Sequence, residues 1–425
     1  MLTNDNLDKK SWWFFIKKSA GAGAIFLKTA WLIVGATLLL LIFLEVTCGL
    51  VYHLLPGKSG PDYFQKSESY KNSPWARDYD QELFSSYNTS WRPYVYWRRT
   101  PMKGKYINVD ARGRRHTVPP ATPDTNTSRK LKIFMFGGST LWGEGVRDRY
   151  TLPSLVWRDL AARHINAEVT NFGEVAYVNT QELIELIMQL ERGNVPDVVI
   201  FYDGYNDVYA GLQNLTAGYT QFEWKRELEY NISTRYNKLK RVFLLNTLDR
   251  FYLGKLIKAL SNKLSYKEPF SQKSKSLKED IVEVYLNNIK IITALGKAYG
   301  FVPLFFWQPV IYTKNHLTPF EKNYATEPLG GLYRQTQAVL QANYQKFPPY
   351  HFFDISNLFA GTNREVYLDF CHVNEDANQI IAQRITADLL KIINPPASGP
   401  GPGQRPTPAP GSGARRTGAS APGGQ

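Results

Sequence analysis

Four short polar blocks carry the residue types that could do chemistry together. The first, Gly137–Thr140 (GGST), supplies a hydroxyl, and the second, Asn171–Gly173 (NFG), supplies a glycine. The third, Gly204–Asp207 (GYND), supplies a side-chain amide, and the fourth, Asp369–His372 (DFCH), supplies a carboxylate and an imidazole. Each block alone is typical of a tight turn or a helix cap. Their value depends on whether folding brings them together.

A serine hydroxyl, an imidazole and a carboxylate are the groups needed for nucleophilic acyl transfer. The hydroxyl is a poor nucleophile until a base removes its proton, and histidine ionises near neutral pH. A carboxylate on the second ring nitrogen holds the imidazole in one tautomer. Backbone amides and a side-chain amide can stabilise the oxyanion that forms on the substrate. These residue types therefore suit ester hydrolysis or acyl transfer.

The sequence between the blocks predicts how they are positioned. Short apolar runs alternate with helix-like stretches, a pattern typical of βαβ units and a parallel sheet. We predict a flavodoxin-like three-layer α/β/α sandwich with a central parallel sheet. In such a fold the carboxyl ends of the strands share one edge, where ligands collect. The predicted strands are Lys132–Phe136, Glu168–Phe172, Val198–Tyr202, Val302–Trp307 and Phe352–Ile355, and the predicted helices are Leu152–His164, Thr180–Arg192, Leu277–Tyr299, Leu332–Phe347 and Glu375–Ile393.

The order and placement of the four blocks resemble those of the SGNH (GDSL-type) hydrolase superfamily over roughly residues 130–393. The resemblance implies that Ser139 is the nucleophile, His372 the general base and Asp369 its orienting carboxylate. It also implies an oxyanion hole formed by the amides of Ser139 and Gly173 and the side chain of Asn206. The family's frequent Gly-Asp-Ser is Gly-Gly-Ser here. The missing aspartate is not one of the family's catalytic residues.

No metal or cofactor is predicted. The only cysteines, Cys48 and Cys371, are too few for a metal cluster or a disulfide framework. We interpret Cys371 as a small buried residue rather than a nucleophile. The other histidines lack comparable neighbours and are interpreted as structural or surface residues: His53, His116, His164, His316 and His351.

The N-terminal region predicts a membrane anchor. Residues 29–55 are apolar apart from Glu45, and ~20 such residues suffice to cross a bilayer. Five lysines precede this run within the N-terminal segment 1–28, which by the positive-inside rule is cytoplasmic. We therefore expect a single-pass signal-anchor with the rest of the chain extracytoplasmic, either periplasmic or extracellular. Glu45 could be protonated, reach the interface or meet a partner helix.

Composition divides the remainder of the chain. Residues 56–128 form a juxtamembrane cap segment and linker, and residues 129–394 form the predicted catalytic domain. A helical insertion rich in Tyr, Lys and Arg interrupts that domain at about 208–276. The tail 395–425 is nearly all Pro, Gly, Ala and Ser, so we expect it to be disordered.

The formal net charge of +14 is compatible with nucleic acid, an anionic membrane or an acidic substrate. Nucleic acid is the weakest of the three because no nucleic-acid-binding motif is present. The main hypothesis is an esterase that removes O-acyl groups, chiefly acetyl, from a surface or extracellular polysaccharide. Alternatives are an O-acyltransferase served by a membrane partner, a lipase or lysophospholipase, and a non-catalytic glycan-binding scaffold. Aromatic residues of the insertion are candidates for sugar stacking or for ordinary packing: Tyr209, Tyr219, Trp224, Tyr230 and Tyr236.

Overall fold

The structure is a computed structural model that describes residues 5–54, 64, 66–121, 129–234, 251, 252, 254, 277–347 and 350–393. The predicted tail 395–425 and much of the insertion therefore lie outside the described residues.

A single helix, α1 (Asp5–Leu54), opens the chain. Its stretch Ile25–Val51 has a mean hydropathy of 2.3 and is 27 residues long, so it is long and apolar enough to cross a membrane. At about 1.5 Å per residue it exceeds the ~30 Å hydrocarbon core. Glu45 lies on this stretch, and its carboxylate accepts a hydrogen bond of 2.5 Å from the Tyr252 backbone N–H.

The segment between the anchor and the sheet is built from one helix and two short antiparallel β-ladders. Helix α2 (Ala76–Ser85) is followed by strands β1 (Thr89–Arg92) and β2 (Tyr96–Arg99), which pair with each other. Strands β3 (Met102–Lys103) and β4 (Asn108–Val109) form the second pair.

The main sheet has five parallel strands: β5 (Leu131–Gly137), β6 (Ala167–Asn171), β7 (Val198–Asp203), β8 (Val302–Trp307) and β9 (Phe352–Asp354). Their order across the sheet is β6-β5-β7-β8-β9. This is the flavodoxin-like order, with the first strand of the sheet in second place. Register aligns Phe136 of β5, Phe201 of β7 and Phe305 of β8, and their rings stack across the sheet at 5.2 and 5.5 Å. All five predicted strands are confirmed.

Helices in two groups cover the sheet. Helices α4 (Leu152–Ala161) and α10 (Glu375–Ile393) pack against each other. The second group consists of α5 (Asn179–Glu191), α6 (Tyr205–Asn214), α8 (Leu277–Tyr299) and α9 (Leu329–Ala342). Their apolar sides complete the core, so the predicted sandwich is confirmed. Three of the five predicted helices differ at their ends; the one predicted to start at Leu332 begins three residues earlier. Two further helices are α3 (Ser139–Trp142) and α7 (Glu223–Thr234).

Candidate active site

Ser139 stands at the carboxyl end of β5, on the first residue of α3. The preceding Gly138 has an extended backbone, and a Cβ placed on it would lie 2.2 Å from Asn206 Nδ2. Only glycine therefore lets the Asn206 amide approach this close to the start of the helix. At the first position of a helix the Ser139 N–H has no helical acceptor, so it can serve an external oxygen.

Ser139, His372 and Asp369 form one hydrogen-bonded line. The distance from Ser139 Oγ to His372 Nε2 is 2.7 Å, and that from His372 Nδ1 to Asp369 Oδ2 is 2.6 Å. The other oxygen of Asp369 accepts the backbone N–H groups of Cys371 and His372 at 2.9 and 2.8 Å. The three side chains come from two distant parts of the sequence, and all are buried. The geometry can pass the hydroxyl proton to the imidazole.

Electrostatics favour charge separation along this line. Burial alone would lower the pKa of His372, but the charge and hydrogen bond of Asp369 raise it well above its usual 6.5. Burial alone would raise the pKa of Asp369, but the charge and hydrogen bonds of His372 lower it below its usual value. The carboxylate therefore stabilises a protonated imidazole, which is the form that exists after a proton has been taken from Ser139.

Cys371 lies beside this line without the properties of a nucleophile. Its Sγ is 3.8 Å from His372 Nδ1, but burial raises the pKa of the thiol to about 12. The thiol therefore stays protonated at neutral pH, and the thiolate is the reactive form. The ligand atoms of Asp369, Cys371 and His372 lie within 4.8 Å of one another. A protonated thiol and an imidazole already bonded on both nitrogens are poor metal ligands.

Asn206 reaches the site from the carboxyl end of β7. The turn before it depends on Gly204, whose φ of 124° is rare for other residues. A Cβ on Gly204 would also lie 2.9 Å from the Trp307 ring. The Asn206 Nδ2 donates to the Tyr177 carbonyl at 2.7 Å, and its Oδ1 accepts from Gln221 Nε2 at 3.2 Å. Since a side-chain amide has two N–H groups, the second remains for an oxygen beside Gly138.

The amide of Gly173, the predicted oxyanion donor, already makes a hydrogen bond within the protein. Its N–H donates to Asn171 Oδ1 at 2.9 Å, and a Cβ on it would lie 2.6 Å from the Trp142 nitrogen. The Gly173 amide is thus already engaged beneath α3. Further along the same loop, Ala176 has a left-handed φ of 65°, and its N–H makes no hydrogen bond within the described part of the chain. No sequence pattern indicated this alanine, because alanine rarely adopts that conformation.

Three carboxyl groups, of which Asp203 and Glu182 are buried and Asp207 is half-buried, lie near Asn206, and sequence reasoning missed this group. Asp203 accepts from the Asn179 side chain at 2.8 Å, and Asp207 accepts from the Asn179 backbone at 3.1 Å. Burial raises the pKa of Asp203, Asp207 and Glu182, and the Asp203 charge raises the latter two further. Through their hydrogen bonds to Asn179, Asp203 and Asp207 tie the turn under Asn206 to the start of α5.

The aromatic candidates of the insertion divide between core and surface. Tyr209 stacks on Tyr205 at 5.9 Å, which supports the packing interpretation for it. Tyr219, Trp224 and Tyr230 are exposed. Tyr236 lies outside the described residues.

Fold and site together define an α/β sandwich with a serine, a histidine and an aspartate in one line at the carboxyl edge of its sheet. In its four sequence blocks and its strand order the chain resembles the SGNH (GDSL-type) hydrolase superfamily. No family model matches the sequence, and no curated protein matches it.

Solved structures similar to this chain include a member of the lipolytic protein G-D-S-L family from Veillonella parvula, 13% identical, with a TM-score of 0.36, matched over 62% of this chain and 99% of that one. They also include the acetylxylan esterase Axe2 from Geobacillus stearothermophilus, 12% identical, with a TM-score of 0.35, matched over 64% and 96%. The acetyl xylan esterase AlAXEase is 13% identical, with a TM-score of 0.35, matched over 60% and 98%. At such TM-scores the fold assignment rests on the strand order of this chain itself.

Proposed function

We propose that this protein is a membrane-anchored serine esterase that removes O-acyl groups, chiefly acetyl, from a surface or extracellular polysaccharide. The observation that carries the proposal is the line Ser139–His372–Asp369, with hydrogen bonds of 2.7 and 2.6 Å. It pairs a nucleophile with a base and orients the base, which is the arrangement that acyl transfer through serine requires.

In the proposed reaction Ser139 Oγ attacks the carbonyl carbon of the ester while its proton moves to His372 Nε2. Asp369 keeps the other ring nitrogen protonated and stabilises the imidazolium. The negative oxygen of the tetrahedral intermediate lies between the amide of Ser139 and the free N–H of Asn206. His372 then gives its proton to the departing sugar oxygen, and the acyl group remains on Ser139.

Water completes the cycle. It attacks the acyl group on Ser139 while His372 takes a proton from it, and collapse of the second intermediate restores the serine hydroxyl. An acceptor sugar hydroxyl in place of water would make the same chemistry an acyl transfer. The third oxyanion donor was predicted to be the Gly173 amide, which donates to Asn171; the Ala176 amide, which makes no hydrogen bond within the described residues, takes that role in the proposal.

The anchor supports the choice of substrate. A helix that can cross a membrane at Ile25–Val51, preceded by lysines, favours a cytoplasmic N-terminus and an extracytoplasmic sheet domain. Acetylated glycans are among the esters found there. Two of the similar solved structures are named as acetylxylan esterases, which agrees with this substrate class.

The test is acetate release from acetylated polysaccharides by the full-length chain in detergent. We expect Ser139→Ala to abolish release and to prevent labelling by a fluorophosphonate probe. Ser85→Ala is the matched control, since Ser85 is an exposed helix residue that donates only to the Gln81 carbonyl. Equal acetate release by Ser139→Ala and the unchanged chain would refute the mechanism. A higher yield of acylated sugar than of acetate would identify a transferase.

A further inference from the structure

A groove lies beside the candidate active site, between the β1–β2 hairpin and the start of α7. Its volume is about 460 Å³, and both elements contribute side chains to it. The lining includes Tyr87, Trp91, Trp97, Gln221, Phe222 and Arg226. No residue of this groove belongs to the line Ser139–His372–Asp369.

Two residues connect the groove to the site. Gln221 lines the groove and donates its side-chain amide to Asn206 Oδ1 at 3.2 Å. Ala176, whose amide makes no hydrogen bond to any described residue, lines it as well. The groove therefore opens beside the position that the acyl group takes in the proposed reaction. The part of a substrate that continues beyond the ester group would therefore lie along the groove.

Flat apolar surfaces are available in the groove. Trp91 is 66% exposed, Tyr87 is 44% exposed and Phe222 is 40% exposed. Side chains of this size are normally covered, and exposed aromatic faces are a common feature of recognition sites. The faces of sugar rings carry C–H groups that pack on such rings. These three aromatics therefore present exposed ring surface on which sugars can pack.

The groove also contains two cations, Lys225 and Arg226, that form no salt bridge among the described residues. The Arg226 guanidinium lies between the Tyr96 and Trp97 rings, 4.7 and 4.6 Å from their centroids, and donates to the Gln221 carbonyl. Among the described residues it forms no salt bridge. Lys225 Nζ stands 4.5 Å from the Phe222 ring and also lacks a salt bridge within the described residues.

The charges of Glu223 and Glu229 act on Arg226 and raise its pKa, but neither carboxylate forms a salt bridge with it among the described residues. Glu223 is bonded to the hydroxyls of Tyr96 and Thr220. The remaining groove cation, Arg99, is buried and paired with Glu174 and Glu144. Glu229 is the one carboxylate in the lining. Burial lowers the pKa of Arg226 from its usual value, as expected for a partly desolvated cation without a salt-bridge partner.

We propose that this groove binds an acidic glycan, with sugar rings on Trp91, Tyr87 and Phe222 and sugar carboxylates at Arg226 and Lys225. Arginine recognises carboxylates through paired N–H groups in a fixed plane, and Arg226 is held in place by the two rings that it contacts. The inference rests on the proposed function and narrows its substrate class to acylated polysaccharides that contain uronic acids.

The experiment measures binding without turnover, using full-length Ser139→Ala protein in detergent and calorimetry. The probes are a hexamer of galacturonic acid and a neutral hexamer of xylose, neither of them acetylated. We expect the acidic hexamer to bind at least tenfold more tightly and its affinity to fall as salt is raised. Equal affinity for the two hexamers, or stronger binding of single-stranded DNA than of either, would overturn the proposal.

Variants locate the binding surface. Trp91→Ala and Arg226→Gln should each weaken binding of the acidic hexamer about tenfold or more, while Arg226→Lys retains part of the affinity. The controls are Tyr299→Ala and Arg163→Gln, which remove an exposed aromatic ring and an exposed guanidinium outside the groove. Unchanged affinity in folded Trp91→Ala and Arg226→Gln would exclude the groove. Hydrolysis of p-nitrophenyl acetate that depends on Ser139 tests the proposed function separately, since the binding assay involves no catalysis.

Discussion

At the scale of single residues, the protonation state of His372 controls whether Ser139 can lose its proton. The charge of Asp369 raises the pKa of His372 above its usual 6.5, so the imidazole stays protonated to a higher pH. Only the neutral ring can act as a base. We therefore expect kcat/KM for ester hydrolysis to rise with pH through a midpoint above 6.5. Asp369→Asn should move that midpoint down and lower kcat by ~10³–10⁴.

The pH profile separates this role from a merely structural one. A variant that only loosens the fold would lower the activity at every pH without moving the midpoint. Asp376→Asn is a suitable control, because Asp376 is an exposed acid on the first turn of α10, away from the line. A midpoint below 6.5 in the unchanged chain would contradict the assigned coupling between His372 and Asp369.

The second prediction at this scale concerns the contact between Gly138 and Asn206. A Cβ on residue 138 would lie 2.2 Å from Asn206 Nδ2, so Gly138→Ala must displace that amide. Since losing one oxyanion donor costs ~10²–10³ in rate, we expect Gly138→Ala and Asn206→Ala to lower kcat by similar factors. Steady-state kinetics with p-nitrophenyl acetate measure both. Full activity in Gly138→Ala would show that Asn206 is not a donor.

At the scale of elements, the β1–β2 hairpin holds the loop that follows β6. Arg98 donates to the carbonyls of Phe172 and Gly173 at 3.1 and 3.2 Å and pairs with Glu185 and Glu174. Breaking a buried ion pair from one side typically costs ~3–5 kcal/mol. We expect Arg98→Met to lower the free energy of unfolding by that order, measured by thermal or denaturant unfolding.

An exposed ion pair provides the control for Arg98. Lys130 and Glu168 approach to 3.4 Å with both side chains about half exposed, so Lys130→Met should change the unfolding free energy by less than about 1 kcal/mol. If Arg98→Met lowered the unfolding free energy as little as Lys130→Met does, the contacts of Arg98 from the hairpin would contribute little to stability.

The same loop shows what the sequence could and could not predict. Strands β5, β7 and β8 were predictable because each is a short apolar run that is largely buried on both faces, whereas the edge strand β6 alternates between buried and more exposed residues. Ser139, Asn206, Asp369 and His372 were predictable because they follow strand ends or precede the last helix. The choice between Gly173 and Ala176 depends on which amide the Asn171 side chain captures. That contact, and the arginine contacts from the hairpin, join residues far apart in sequence and leave no local pattern.

At the scale of the whole molecule, the position of the sheet domain relative to the membrane determines which esters it can meet. The lysines before Ile25–Val51 predict that residue 10 is cytoplasmic and that residue 85 is outside. Cysteine accessibility measures this directly, because the native Cys48 and Cys371 are both buried and give little background. We expect a membrane-impermeant maleimide to label Ser85→Cys in right-side-out vesicles, and Lys10→Cys only after the vesicles are opened.

The orientation bears on the proposed esterase as well as on the anchor. If Lys10→Cys were labelled in closed vesicles and Ser85→Cys were protected, the sheet domain would face the cytoplasm. Surface polysaccharide would then be out of reach, although the chemistry of Ser139 could remain intact. An unlabelled pair in closed vesicles, with both labelled after opening, would place the helix outside the bilayer as part of an internal assembly. Only labelling of Ser85→Cys in closed vesicles, with Lys10→Cys labelled after opening, is consistent with an extracytoplasmic function that combines the anchor, the groove and the nucleophile.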